Sequence, residues 1–144
     1  MATIRKAIAV WNGTTADGKG VLNSSNNFFD NTPYSFKTRF ENEDGKQGTN
    51  PEELIAAAHA GCFAMALSYG ISSAGFTPDE LHVEAKITMA LETGIQSIEL
   101  DLSGKVTGMD EAKFNELADA AKINCPVSKA LSAVPISLNK QFIS

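Results

Sequence analysis

One run constrains this chain more than any other: NPEELIAAAHAGCFAMALSYGISSAG, residues 50 to 75, reads as a single long helix. Asn50 is a good N-cap, Pro51 suits the first helical position, and Glu52 and Glu53 fall at the positive end of the helix dipole. Glu53 also stands where a capping-box acid belongs. The helix is expected to run to about Ser73 and to end near Gly75. Apolar and small residues go nearly all the way round it, so the expectation is a central helix enclosed by the rest of the fold. Small residues such as Ala56, Ala60, Gly61 and Ala64 let another backbone approach closely, which points to a neighbouring helix or to the same helix of a second subunit, and so to a homodimer. The mostly apolar part, 54 to 69, is about sixteen residues and is diluted by His59, short of the roughly 20 that a membrane span needs, so no membrane partner is expected.

Elsewhere the dominant period is two. In LHVEAKITMAL, Leu81, Val83, Ala85, Ile87, Met89 and Leu91 face one way, with His82, Glu84, Lys86 and Thr88 on the other. A turn around Glu92 to Gly94 leads into SIELDLSGKV, where Ile98, Leu100, Leu102 and Val106 repeat the pattern, so a long hairpin with one buried face is expected. Weaker strand signals lie in the N-terminal run with Ile4, Ile8 and Val10, in YSFKTRF, and in VPISLNKQFI. NGTTADGKG and NSSNNFFDNTP between the first two read as hairpin and loop. A second, amphipathic helix starts near Asp110 and carries Phe114, Leu117, Ala118 and Ala121 on one face. Pro126 interrupts it after Cys125, and a short helical piece through Val127 to Leu131 follows.

With 144 residues the chain is long enough for one domain and short for two, so residues 1–144 are expected to be a single α+β unit. A net charge of -5 and no cluster of Lys and Arg exclude a nucleic-acid partner. TIRKAIAVW lacks the continuous apolar region of a secretory signal, and the expected location is the cytoplasm. There, two cysteines mean structural thiols or redox chemistry rather than a disulfide scaffold.

Cys62 in the middle of the long helix has a bland reading, a small hydrophobe filling a core niche. Cys125, at a helix break before a proline, could be held at a bend facing another element. Neither lies in a CxxC or near a plausible zinc set with His59 and His82, so no metal and no cofactor are expected. GTNPEELIAAAHAGCFAMALS followed by INCPVSKAL resembles the osmotically inducible protein C and organic hydroperoxide resistance family of thiol-dependent peroxidases. The likeness extends through PYSFKTRF and the AGFTPDEL turn, and its AAHA-then-Cys form with an arginine in TRF is similar to the osmotically inducible branch. NSSNNFFDNTPY departs from the pattern in being longer and more aromatic.

The resemblance implies antiparallel sheets around a long central helix and an intertwined homodimer with the sites at the subunit interface. It implies a peroxidatic Cys62, a resolving Cys125 that closes a disulfide with it, and Arg39 and Glu52 organising the site. The substrate would be a small hydroperoxide, organic ones preferred to hydrogen peroxide, and a thiol reductant, a dithiol or lipoyl-type protein, would reopen the bridge. A thiol reacts with peroxide as the thiolate, and burial opposes that charge. The dipole fades within the first turn, whereas Cys62 lies about eleven residues in, so a cation is required. Arg39, taken as lying on a strand opposite Tyr34, Phe36 and Phe40, is the best candidate, with Glu52 orienting its guanidinium. Ten residues of helix put Glu52 roughly 15 Å from Cys62 along the axis, so the glutamate serving a given cysteine is expected from the other subunit.

Three alternatives attach to the same residues. Phe63, Met65, Phe28 and Phe29 are core residues first and an apolar wall for alkyl groups second. His59, one turn before Cys62, is a base candidate, although a histidine satisfied by backbone is the simpler reading. A non-catalytic small-molecule-binding module with inert cysteines, or a hydrolase built on Cys62 and His59, would also use this helix.

Overall fold

The computed structural model describes residues 2–41 and 48–144. It divides into two compact units, Met1–Leu54 and Ile55–Ser144.

In the first unit, β1 (Ala7–Asn12) and β2 (Lys19–Ser24) form an antiparallel hairpin, and β3 (Thr32–Tyr34) adds to β2. Gly20 on β2 is forced by its neighbours: a Cβ there would meet the Tyr34 ring at 2.5 Å and the Trp11 ring at 2.7 Å. All six residues of β1 are exposed, Ile8 and Val10 among them. The run after Tyr34 corrects the expected strand. Phe36–Phe40 is a one-turn helix, α1, begun by a reciprocal cap in which Ser35 Oγ accepts from the Thr38 N–H and Thr38 Oγ1 accepts from the Ser35 N–H. Phe36 and Phe40 therefore stack one helical turn apart, with ring centroids 4.9 Å apart.

The long helix, α2, runs from Pro51 to Ser73. Asn50 Oδ1 accepts from the Glu53 N–H at 2.8 Å, which is the expected N-cap. The Glu53 carboxylate accepts from the Thr49 hydroxyl instead of closing a capping box. Past its end, Gly75 has φ of +90° and the Phe76 N–H donates to the Ile71 carbonyl, the left-handed termination a glycine permits. The helix is 23 residues long with a mean hydropathy of 1.6 over its most apolar window, enough by length and composition to cross a membrane and more than the sixteen-residue estimate allowed. One of its faces instead packs into a protein core.

That core belongs to the second unit. β4 (Glu80–Ala90) and β5 (Gly94–Lys105) make the expected hairpin, with the turn at Gly94 in positive φ. The chain then passes through α3 (Glu111–Asn124) and α4 (Pro126–Ala130) and returns as β6 (Ile136–Ile143), which pairs with β5 in parallel. A crossover through two helices makes that direction natural, whereas the tight turns elsewhere give antiparallel pairs. Phe63, Leu67 and Ile71 of α2, Ile98, Leu100 and Leu102 of β5, and Phe114 and Ala118 of α3 form one buried cluster that also contains Cys125.

The opposite face of α2 is a further correction. Buried residues recur every fourth position as His59, Phe63, Leu67 and Ile71, while Ala58, Gly61, Met65, Tyr69 and Ser72 lie exposed along another stripe. Met65 is 76% and Tyr69 77% exposed, so a single chain does not enclose this helix.

Candidate active site

Four residues carry the expected chemistry, and the structure joins them as two pairs. Cys62 projects from the middle of α2, partly buried, and Cys125 is fully buried at the junction of α3 and α4. Their sulfurs lie 3.0 Å apart and share a hydrogen bond, although 63 positions separate them in sequence. Both thiols are free, and a covalent bridge needs only roughly 1 Å of further approach. Local structure fixes the second sulfur: Pro126 cannot continue α3, so Cys125 is at once the C-cap of α3 and the N-cap of α4.

Burial, the largest influence, pushes the Cys62 thiol above its ordinary value, and the hydrogen bond with Cys125 pushes the same way. Among the described residues, none of the groups acting on it is a cation. Burial also pushes Cys125 upward, but its hydrogen bond with Cys62, together with the amides of Val127 and Ser128 and the Ser128 hydroxyl, outweighs it and holds that thiol below its ordinary value. Left to these neighbours alone, Cys125 is the better anion of the two. Peroxide access favours Cys62, the more exposed.

The second pair lies in the first unit. Arg39 on α1 grips Glu52 on the first turn of α2 through three contacts: Nε at 3.2 and 3.1 Å from the two carboxylate oxygens, and Nη2 at 2.6 Å from one of them. Burial raises the Glu52 pKa, but the hydrogen bond and charge of Arg39 and the helix-start amide bring it below its usual value, so the carboxylate is ionised. The guanidinium carbon also sits 4.9 Å over the Phe40 ring. A fork held on one edge by a carboxylate and stacked on an aromatic face is pre-organised, and among the described residues Glu52 is the only carboxylate it pairs with. Arg39 therefore occupies a helix rather than the expected strand, and the expected partnership with Glu52 is present.

His59 is buried, and its Nε2 lies 2.7 Å from Ser128 Oγ. Its partner is a hydroxyl from α4, not the backbone expected from the sequence. Ser128 itself escaped the sequence reading; its spacing of three from Cys125 in CPVS, at the start of a helix, was the available signal. Of the apolar-wall candidates, Phe63 is core, whereas Met65 and Phe28 are largely exposed. Among the described residues no three His, Cys, Asp or Glu side chains converge as a metal site.

Comparison with known proteins follows the same residues. The profile of the family described as OsmC-like protein matches residues 43–139. Over 147 residues, covering all of both chains, the sequence is 40% identical to Peroxiredoxin OsmC of Escherichia coli (strain K12). It is 34% identical over 87 residues to the Organic hydroperoxide resistance protein of Xanthomonas axonopodis pv. citri (strain 306), spanning 60% of this chain and 61% of that one. The solved OsmC like protein from Mycoplasma pneumoniae matches with a TM-score of 0.77 over the whole of both chains at 16% identity, a likeness of fold.

Proposed function

The chain belongs to the OsmC family, and on that premise we propose that it is a cytoplasmic, cysteine-based peroxidase that reduces organic hydroperoxides and, more slowly, hydrogen peroxide. The observation that supports this reading most is the approach of the two free sulfurs to 3.0 Å. Cys62 thiolate attacks one peroxide oxygen, the O–O bond breaks, the alcohol leaves, and Cys62 becomes a sulfenic acid. Cys125 then displaces the hydroxyl as water to close a disulfide, and a dithiol or lipoyl-type reductant reopens it by exchange.

Thiolate formation at Cys62 needs a cation, and Arg39 with Glu52 is the pre-organised one. Because Glu52 precedes Cys62 by ten residues of the same helix, a rise of about 15 Å, we assign the Arg39–Glu52 pair at each cysteine to a second copy of the chain. The exposed stripe of Ala58, Gly61, Met65 and Tyr69 on α2 suits such a partner, since small residues admit a second helix closely and Met65 and Tyr69 supply apolar surface. Residues 1–144 then work as one domain of an intertwined homodimer, in which the exposed Ile8 and Val10 of β1 gain cover. A hydrolase reading loses its base, as His59 Nε2 is engaged by Ser128.

The test is a peptide map. Reduced protein treated with one equivalent of an alkyl hydroperoxide and digested without reductant should yield a Cys62–Cys125 cross-linked peptide and lose both free thiols. Two thiols unchanged by peroxide would point instead to a binding module with structural cysteines.

A further inference from the structure

His59 is a buried polar group that the peroxidase chemistry above does not use. It is fully enclosed, and a ring kept there for volume alone would cost less as a hydrocarbon. Nε2 lies 2.7 Å from Ser128 Oγ, and Ser128 is buried as well. Nδ1 is buried and has no hydrogen-bond partner among the described residues.

The tautomer follows from that asymmetry. An orphaned N–H in a dry interior is rarer and costlier than an orphaned lone pair, so the proton belongs on Nε2. Burial also lowers the pKa of the ring, which is therefore neutral. Nε2–H donates to Ser128 Oγ, and the hydrogen of the serine hydroxyl is left for another acceptor. Ser128 stands three residues beyond Cys125 on the first turn of α4, and its hydroxyl is among the groups that favour the Cys125 anion.

We infer that His59 and Ser128 are positioning residues for disulfide closure: the imidazole turns the serine hydroxyl so that its proton meets the Cys125 sulfur, and this sets how fast that sulfur attacks oxidised Cys62. The inference rests on the peroxidase reading. In the step concerned, the S–H bond of Cys125 and the S–O bond of Cys62 sulfenic acid break, one S–S bond forms, and the proton and hydroxide leave as water. Cys62 is reduced from the sulfenic level, Cys125 is oxidised, and His59 neither gains nor loses a proton.

Stopped-flow measurement of peroxide loss, beside timed quenching and mass analysis of the Cys62–Cys125 bridge, separates the two thiol steps. Losing one hydrogen bond to an anion weakens that anion about ten- to hundred-fold, and the more basic thiolate recovers roughly the square root of that factor in nucleophilicity. Ser128→Ala and His59→Leu should therefore close the bridge about three- to ten-fold more slowly, with peroxide loss within about twofold of wild type. Ser128→Thr, which restores the hydroxyl, and His59→Gln, which keeps a donor without a titratable ring, should recover closure. Wild-type closure in Ser128→Ala, or equal slowing of both steps as loosened packing would give, would overturn the inference. A wild-type chain that consumes peroxide yet forms no bridge would also overturn it. One that consumes no peroxide removes the peroxidase reading, and this inference with it.

Discussion

Cys62→Ser will abolish hydroperoxide turnover, a loss of at least about a thousand-fold, while leaving the chain folded. A serine hydroxyl is scarcely ionised at neutral pH and forms no counterpart of the sulfenic acid. Replacing one small, partly buried side chain by its oxygen analogue removes the nucleophile and little else. The outcome is not trivial, because the neighbours of the two thiols favour Cys125 as the anion. If Cys125 were the peroxide-reacting residue, Cys62→Ser would still consume one equivalent of peroxide and Cys125→Ser would consume none. The expected pattern is the reverse: Cys125→Ser takes up one equivalent and stalls as Cys62 sulfenic acid, detectable by a dimedone adduct. Stoichiometric peroxide consumption by pre-reduced protein freed of reductant, beside a urea unfolding curve for each variant, makes the comparison, and turnover is read separately with dithiothreitol present.

Arg39→Ala is expected to slow the reaction of Cys62 with an alkyl hydroperoxide by about a hundred- to a thousand-fold, the cost of removing one pre-organised charged donor from a developing anion. Burial and Cys125 both push the Cys62 thiol upward, so on the proposed reading its ionisation draws on this cation. The sign of the pH effect follows. Peroxide reactivity rises as pH climbs through the Cys62 pKa, and removing the guanidinium raises that pKa, so the midpoint of the variant moves to higher pH and part of the loss is recovered in alkali. Arg39→Lys keeps the charge without the planar fork that grips Glu52, and should fall between wild type and alanine. A pH–rate profile for Arg39→Ala with an unmoved midpoint would assign thiolate activation elsewhere.

Much of this arrangement could be read from residue order because its signals are local. Asn50, Pro51 and the two glutamates mark the start of α2, and strict alternation from Leu81 to Leu91 marks β4. Pro126 after Cys125 marks the break between α3 and α4. YSFKTRF failed for a definable reason: a spacing of four between Phe36 and Phe40 fits both a period of two and a helical turn. The deciding cue was the Ser35–Thr38 reciprocal cap, a Thr in the position where Glu or Gln is usually sought. All-round apolarity on α2 reads as enclosure, but composition cannot say whether the covering surface comes from the same chain. Contacts across long stretches of sequence, such as His59 with Ser128, have no local signature at all.

Sharing of the site between two copies of the chain is tested most directly by mixing two inactive variants. Cys62→Ser and Arg39→Ala homodimers each lack one half of every site, but a heterodimer places an intact Cys62 beside an intact Arg39–Glu52 pair at one of its two sites. Random pairing after co-refolding at equal amounts makes about half the dimers mixed, so a shared site predicts recovery of about a quarter of wild-type turnover. Turnover no higher than the sum of the separate variants would contradict a site built from two copies.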